Sequence, residues 1–214
     1  MSDLRSRLRF DGSVPKPRST PGVSSKRAAL QELASTGPEL ADLQERVHAT
    51  GKHGDGRRVL VVLQGMDASG KDGAMKHLLG QVNPAGCRVT AFGRPTKEEL
   101  GHDFLWRIKN ALPASGQIGV FNRSHYEDVL IVRVHELVPR AVSGRRFGRI
   151  NTFEKQLVDS GCAVLKVFLH VSWEEQGERL LARLEDPSKH WKVGPTDVKE
   201  RARWAEYQEA YLEA

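Results

Sequence analysis

Four short apolar segments alternate with amphipathic stretches from residue 59 to the end of the chain. The segments are rich in Val, Ile, Leu and Phe and lack alternating polar residues; they are Val59–Leu63, Cys87–Phe92, Ile118–Phe121 and Ala163–Val171. Strands of this kind are typical of a parallel sheet that helices cover on both sides. The pattern therefore predicts a three-layer α/β/α fold in which all four strands are buried on both faces.

Local signals mark the ends of several intervening helices. Thr96 and Glu99 have the spacing of a capping box, in which each side chain binds the backbone N–H of the other residue. Ser172 and Glu175 repeat this spacing before another helical stretch. Gly161 follows a third helical stretch and predicts its C-terminal cap. One α/β domain without internal repeats accounts for residues 38–214.

Much of the positive charge lies near the N-terminus. The formal net charge is +6, and residues 1–27 hold seven basic residues against two acidic ones. Pro and Ser are frequent there and no periodicity is visible, so residues 1–37 are predicted to form a basic, disordered arm. Pro38 is predicted to begin a short helix that ends before Gly51. The remaining domain is nearly neutral, which argues against a specific nucleic-acid-binding face.

The cysteines and the N-terminal sequence indicate the cellular compartment of the protein. Cys87 and Cys162 have no further Cys or His at metal-ligand spacing, so we interpret both as small buried apolar residues in a reducing compartment. The N-terminus lacks the apolar segment of a secretion signal, and no apolar run is long enough to span a membrane. We therefore expect a cytoplasmic protein without a membrane partner.

The turn after the first strand has the spacing of a phosphate-binding loop. Gly65, Gly70 and Lys71 match the pattern G-x-x-x-x-G-K between a strand and a helix. The glycines let the backbone N–H groups of the loop, including Ala68 and Ser69, converge on one concavity. The helix N-terminus and the Lys71 ammonium add positive charge there. We expect these five residues to bind phosphates; the alternative is a glycine-rich turn without a ligand.

Two carboxylates distinguish this loop from an ordinary P-loop. Asp72 stands where a Ser or Thr hydroxyl normally binds Mg²⁺, and Asp67 lies inside the loop. A carboxylate that faces phosphates would repel them unless a metal ion lay between them. We therefore predict that Asp67 binds Mg²⁺ or orients the phosphate acceptor. Asp72 is interpreted as an acid that the helix dipole favours at a helix start.

A second candidate centre follows the third strand. Arg123 is placed to neutralise a transferring phosphoryl group, and Glu127 or Asp128 to hold the metal ion from the next helix. The alternative is that the two acids only occupy a helix start. The predicted catalytic residues are Asp67, Lys71, Arg123, Glu127 and Asp128, and the predicted metal ligands are the three acids among them.

Basic residues after the last strand predict a helical lid at about residues 179–200. The predicted phosphate-binding residues of this lid are Arg179, Arg183, Lys189 and Lys192. Such a lid closes over a phosphate site and excludes water. A solvated basic face is the alternative, and Trp191 between the two lysines favours a sheltered loop instead.

Several segments, in this order, resemble the polyphosphate kinase 2 family. Three of them are residues 59–73, residues 121–129 and Lys189-His190-Trp191-Lys192, and the likeness covers roughly residues 38–214. The resemblance implies a P-loop kinase-like fold with a helical lid, Mg²⁺ as cofactor, and reversible phosphoryl transfer between inorganic polyphosphate and a nucleotide. Many members of the family have Asp where this chain has Asn122, directly before Arg123. In this respect the chain resembles the branch of the family that phosphorylates AMP and ADP.

The resemblance also implies roles and partners. Carried over by position, Lys71 and Arg123 contact the reacting phosphates, the basic lid residues contact the polyphosphate chain, and Asp67 with Glu127 or Asp128 handles metal and acceptor. The implied partners are inorganic polyphosphate and adenine nucleotides, with other purine nucleotides as a further possibility, and the implied assembly is a homo-oligomer. Family members usually continue beyond the last helix, so the chain is expected to be truncated at Ala214.

Two other functions stay open at this point. One is an ATP-dependent nucleotide kinase on the same fold, although that function predicts a hydroxyl at position 72, where this chain has Asp72. The other is an inactive, truncated homologue that binds polyphosphate or a nucleotide without turning it over.

Overall fold

A computed structural model of the chain describes residues 25–54 and 56–214, together with the single residues 6 and 9. The strands are β1 (Arg58–Gln64), β2 (Cys87–Ala91), β3 (Ile118–Asn122) and β4 (Cys162–Phe168). The helices are α1 (Lys26–Gly51), α2 (Lys71–Leu79), α3 (Lys97–Leu100), α4 (Trp106–Asn110), α5 (Ile131–Val134), α6 (Arg140–Asp159), α7 (Trp173–Glu185), α8 (Pro195–Ala202) and α9 (Trp204–Glu213). Short 3₁₀ helices span Pro84–Gly86, His125–Asp128 and Pro187–Lys192.

The sheet is parallel throughout and has the strand order β2-β3-β1-β4. Alternate residues of the central strand β1 point to opposite faces, as strand geometry requires. Leu60 and Val62 pack in a core with residues of α4 and α6 on one face, whereas Val61 and Leu63 pack in a second core beside α2 on the other face. The predicted α/β/α layering is therefore confirmed. Within the described residues, no helix has both the length and the apolar character needed to cross a bilayer.

The two edge strands depart from the predicted burial. β1 and β3 are almost wholly buried, but β2 and β4 keep several exposed side chains, including Val89 and Leu165. An edge strand has a neighbour on one side only, so fewer elements cover it. The expectation that all four strands are buried on both faces is wrong for these two. β4 also ends at Phe168, three residues before the predicted end.

Helix α1 begins earlier than predicted. It starts at Lys26, directly after Ser25, whose hydroxyl accepts a hydrogen bond from the Ala28 N–H, and Pro38 lies inside it. Residues 26–34 are mostly strong helix formers, and the Ser25 cap gives them a start that Pro38 does not interrupt. The helix start predicted at Pro38 is therefore wrong, and residues 25–37 of the predicted arm are ordered. Residues 1–24 lie outside the described residues, except for residues 6 and 9.

The other predicted helix ends are largely confirmed. The capping box of Thr96 and Glu99 is complete. Gly161 follows α6 with φ +84°, a left-handed conformation that favours glycine. The Ser172 hydroxyl accepts from the Glu175 N–H, but the Glu175 carboxylate binds Arg179 in place of the Ser172 backbone. Only half of the second capping box therefore forms.

Candidate functional site

The loop between β1 and α2 has the backbone of a phosphate-binding loop. A Cβ atom at Gly65 would lie 2.6 Å from Ser69 Oγ and 2.7 Å from the Leu169 carbonyl oxygen, so only glycine fits there. Gly70 adopts φ +102° and caps α2, and Ala68 has φ +61°. A non-glycine residue in this conformation costs free energy and is typical of functional loops. The predicted strand–loop–helix context is confirmed.

The loop encloses a cation and a buried hydroxyl. Lys71 is 8 % exposed, and its Nζ donates to the carbonyl oxygens of Gly65 (2.6 Å) and Met66 (2.9 Å). Burial lowers the pKa of the Lys71 ammonium, and the nearby Asp67 carboxylate acts in the opposite direction. Ser69 Oγ is buried and has no hydrogen-bond partner among the described residues. A buried hydroxyl of this kind suits a phosphate oxygen, because orphaned polar groups are costly.

The end of β3 brings Arg123 to the same site. Its backbone N–H donates to the Leu63 carbonyl (3.0 Å), and φ is +63°. The guanidinium lies 2.9 Å from Asp67 Oδ1 and 3.9 Å from Glu127 Oε2. β1 and β3 are parallel neighbours, so their carboxyl ends meet at one edge of the sheet. The structure thus brings Asp67, Arg123 and Glu127 together beside Lys71.

Glu127 is held inside this group by a residue of β1. The Gln64 side-chain amide donates to Glu127 Oε1, and Ser124 Oγ donates to Gln64 Oε1 over 3.3 Å. Burial raises the pKa of the Glu127 carboxyl, while the positive charge of Arg123 opposes that shift. The Glu127 carboxylate thus has the Gln64 amide at one oxygen and the Arg123 guanidinium near the other.

Asp128 does not join this group. Its carboxylate pairs with Arg146 at 2.8 Å, and the Arg146 guanidinium also donates to the Asp128 backbone carbonyl. Burial raises the pKa of Asp128, and Arg146 opposes the shift. Adjacent residues of the 3₁₀ helix His125–Asp128 therefore face different partners. Of the two predicted acids, the structure places Glu127 beside Lys71 and Arg123.

The donor set can be tested against a divalent metal. Among the described residues, no cluster of three or more His, Cys, Asp or Glu residues could hold an ion by itself. Mg²⁺ commonly uses one or two carboxylates, with phosphate oxygens and water completing its octahedron. Asp67 and Glu127, which share Arg123 as a neighbour, fit that pattern. The carboxylate of Asp128 binds Arg146 and not Arg123, so it is not part of this pair.

Helix α7 lies against the loop. The Arg179 guanidinium donates to the Ala68 carbonyl (3.0 Å), and the Gln176 amide donates to the Asp67 carbonyl (2.8 Å). Arg179 thus contacts the P-loop itself, as well as Glu175 one turn earlier. Arg183, one turn further along α7, is partly exposed and donates to the Lys192 carbonyl.

The loop after α7 is more exposed than predicted. Lys189 pairs with Asp186 in the same segment at 2.6 Å, and Lys192 Nζ lies 4.8 Å from the centroid of the Trp191 ring. Trp191 is 79 % exposed. The expectation that its indole is sheltered is wrong, because the indole N–H is satisfied locally by the Ser188 carbonyl. The two lysines remain available to a polyanion from solvent.

A partly buried polar cluster supports the turn that carries Arg123 and Glu127. Glu154 of α6 accepts hydrogen bonds from His125 (3.1 Å), from the Tyr126 hydroxyl (2.9 Å) and from Lys166 of β4 (2.8 Å). His125 is fully buried. Burial alone would raise the pKa of Glu154, but the hydrogen bonds from His125 and Lys166 outweigh it and lower the pKa to about 2.

Sequence reasoning missed several of these residues. Gln64 is a polar residue at the end of an apolar strand, and Gln176 shares a helix face with Leu180, so both were visible as polar interruptions. Tyr211 of α9 left no such signal. Burial raises its pKa and the Glu127 charge adds to the shift, which places this phenol near the site.

Comparisons with known proteins show which family the chain is similar to. The family model described as Polyphosphate kinase 2 matches residues 23–214. The chain is 47 % identical, over 96 % of its length and 77 % of the relative's, to an AMP/ADP-polyphosphate phosphotransferase of Meiothermus ruber. It is 43 % identical, over 89 % of its length and 69 % of the relative's, to an ADP-polyphosphate phosphotransferase of Rhodopseudomonas palustris.

A solved structure extends the agreement to the fold. The crystal structure of polyphosphate kinase 2 from Arthrobacter aurescens TC1 superimposes with a TM-score of 0.94 at 46 % sequence identity. The superposition covers 98 % of this chain and 76 % of that one. The P-loop and the residues around it therefore belong to a fold already seen in a kinase.

Proposed function

This chain belongs to the polyphosphate kinase 2 family, and on that premise we propose that it transfers phosphoryl groups between inorganic polyphosphate and AMP or ADP, with Mg²⁺ as cofactor. One observation carries the proposal. The P-loop, with Lys71 buried in it, lies beside Asp67, Arg123 and Glu127 in a chain that is 47 % identical to an AMP/ADP-polyphosphate phosphotransferase.

In this proposal, the basic residues and the backbone N–H groups of the site bind the phosphates. The backbone N–H groups of the loop, the Ser69 hydroxyl and the Lys71 ammonium bind the phosphates. Arg123 sits between the two carboxylates and offers its guanidinium to the phosphoryl group in transit, where negative charge is spread over three oxygens. A protein catalyses phosphoryl transfer mainly by positioning the reacting groups and by stabilising the negative charge of the transition state.

The carboxylates Asp67 and Glu127 are the residues that would hold Mg²⁺. When bound there, the ion would neutralise charge on phosphate oxygens. Asp67, which lies inside the loop, can also orient the accepting phosphate. Asp128 is kept as a supporting residue, because its partner Arg146 ties α6 to the turn that carries Glu127.

The basic residues in the last turn of α7 and in the loop after it bind the polyphosphate chain in this proposal. Lys189 and Lys192 are exposed and Arg183 is partly exposed, so these side chains can contact a polyanion that extends from the P-loop. The segment at about residues 179–200 would close over the site as a lid and exclude water, which otherwise competes for the phosphoryl group. Arg179 differs from the other three basic residues because its guanidinium already donates to the Ala68 carbonyl of the P-loop.

Compartment and assembly belong to the same proposal. Cys87 and Cys162 are free thiols, which agrees with a cytoplasmic location. Assembly into a homo-oligomer and the acceptance of other purine nucleotides remain predictions.

The test varies the donor and the acceptor. The purified chain is incubated with Mg²⁺ and either long-chain polyphosphate or ATP as donor, and with AMP or ADP as acceptor, and the nucleotides are separated by chromatography. We expect ADP or ATP to form with polyphosphate as donor. If AMP is converted to ADP with ATP but not with polyphosphate as donor, the protein is an ATP-dependent kinase. If folded protein forms no product with either donor, it is an inactive binding module.

A further inference from the structure

Four successive carbonyl groups of the P-loop, those of residues 65–68, accept hydrogen bonds from side chains. A loop that directs its N–H groups toward phosphates turns its carbonyl oxygens outward, and buried carbonyls need donors. Lys71 supplies donors for Gly65 and Met66. Helix α7 supplies the other two donors, Gln176 for the Asp67 carbonyl and Arg179 for the Ala68 carbonyl.

Gln176 is the most confined of these donors. It is 2 % exposed, although it is polar and lies on a helix that belongs to another part of the chain. Its Nε2 donates to the Asp67 carbonyl over 2.8 Å, and its Oε1 accepts from Arg201 of α8 over 3.0 Å. A carbonyl can only accept and a guanidinium can only donate, so the two partners fix the orientation of the amide.

Arg201 is itself held in place. Its guanidinium carbon lies 3.5 Å from the centroid of the Trp173 ring, and NH1 also donates to the Trp173 carbonyl over 2.6 Å. The chain of contacts therefore runs from α8 through Arg201 and Gln176 to the backbone of Asp67. The carboxylate of Asp67 is fixed separately by Arg123 at 2.9 Å.

We propose that Gln176 is a positioning residue for phosphoryl transfer: its amide, oriented by Arg201, holds the Asp67 carbonyl and so sets the Asp67 carboxylate and the adjacent loop N–H groups. This inference rests on the proposed function. A shift of about 1 Å at a reacting centre can cost about 100-fold in rate. Loss of the amide donor at Gln176 is therefore expected to lower kcat at least about 10-fold.

Two substitutions separate this role from simple packing. Gln176→Glu keeps an acceptor for Arg201 but removes the donor to the Asp67 carbonyl, and Gln176→Met removes both while keeping the volume. Gln156→Met, at an exposed glutamine of α6, is the matched control. Measurements are kcat, KM for ADP, the thermal midpoint, and calorimetric binding of tripolyphosphate.

We expect Gln176→Met, which adds no charge, to lose at least about 10-fold in kcat with less than about a threefold change in KM for ADP, and to bind tripolyphosphate more weakly. Gln176→Glu should lower kcat as well, and it should also lower the thermal midpoint because its buried carboxylate faces the Asp67 carbonyl. Gln156→Met should behave as wild type. In the double variant, Arg201→Met should lower kcat little beyond the loss caused by Gln176→Met, because both substitutions act through the same amide.

Wild-type kcat in folded Gln176→Glu would overturn the inference, and so would a variant that loses only stability. An inactive wild-type protein would refute the proposed function instead. In that case tripolyphosphate binding still decides the role of Gln176: equal binding by wild type and the uncharged variant Gln176→Met overturns it, and weaker binding by Gln176→Met supports it.

Discussion

Glu154→Gln is expected to destabilise the protein in a way that depends on pH. The Glu154 carboxylate accepts from His125, Tyr126 and Lys166, and glutamine keeps the shape while it removes the charge. These contacts lower the pKa of Glu154 from 4.5 to about 2. The ionised form is therefore the one that the folded protein favours.

The size of the effect follows from linkage. A pKa difference of this size corresponds to about 3 kcal/mol, at about 1.4 kcal/mol per pKa unit. Lys166 is half-exposed, so water screens its share, and we expect a loss of about 2 kcal/mol at pH 7. Because the folded-state pKa is lowered, this stability is present above the ordinary pKa and is lost as pH falls toward the folded-state value.

Urea unfolding followed by circular dichroism tests the prediction. The difference in the free energy of unfolding between wild type and Glu154→Gln should be about 2 kcal/mol at pH 7 and should shrink to less than about half of that by pH 3. Glu178→Gln, on the exposed face of α7, serves as the control and should change little. A difference that stays constant with pH would mean that the variant loses packing and not charge, and would refute the reasoning.

Three further changes test other parts of the molecule. Arg123→Gln removes the cation between Asp67 and Glu127, so turnover should fall at least about 100-fold, and near-normal turnover in a steady-state assay would contradict its role. Thr96→Ala removes the hydroxyl that caps α3 and should cost about 1 kcal/mol in urea unfolding; an unchanged midpoint would speak against the cap. Replacing Lys189 and Lys192 together by Gln should raise KM for polyphosphate about fivefold, and an unchanged KM would exclude them from polyphosphate binding.

The P-loop could be predicted because its chemistry is local. The spacing of Gly65, Gly70 and Lys71 between a strand and a helix determines the backbone that the structure shows. The approach of Arg123 and Glu127 could also be predicted, since the carboxyl ends of parallel strands share one edge of the sheet. Both inferences needed only the pattern of strands and the residues that follow them.

Contacts between distant elements could not be predicted in the same way. Gln176 and Asp67 are 109 positions apart, and their contact depends on the rotation of α7 about its axis. Glu127 and Asp128 are neighbours in sequence, and only the geometry of their 3₁₀ helix decides which one faces Lys71. The exposure of Trp191 depends on hydrogen bonds within its own loop, which an argument from residue type does not capture.

The most direct test of the central claim is the polyphosphate-dependent phosphorylation of ADP by wild type and by Lys71→Met. Methionine keeps most of the volume of Lys71 and removes the ammonium that the loop encloses. We predict that wild type forms ATP, whereas the variant, with an unchanged circular dichroism spectrum, is slower by at least about 100-fold. Equal rates for the two proteins would contradict the assignment of phosphoryl transfer to this loop.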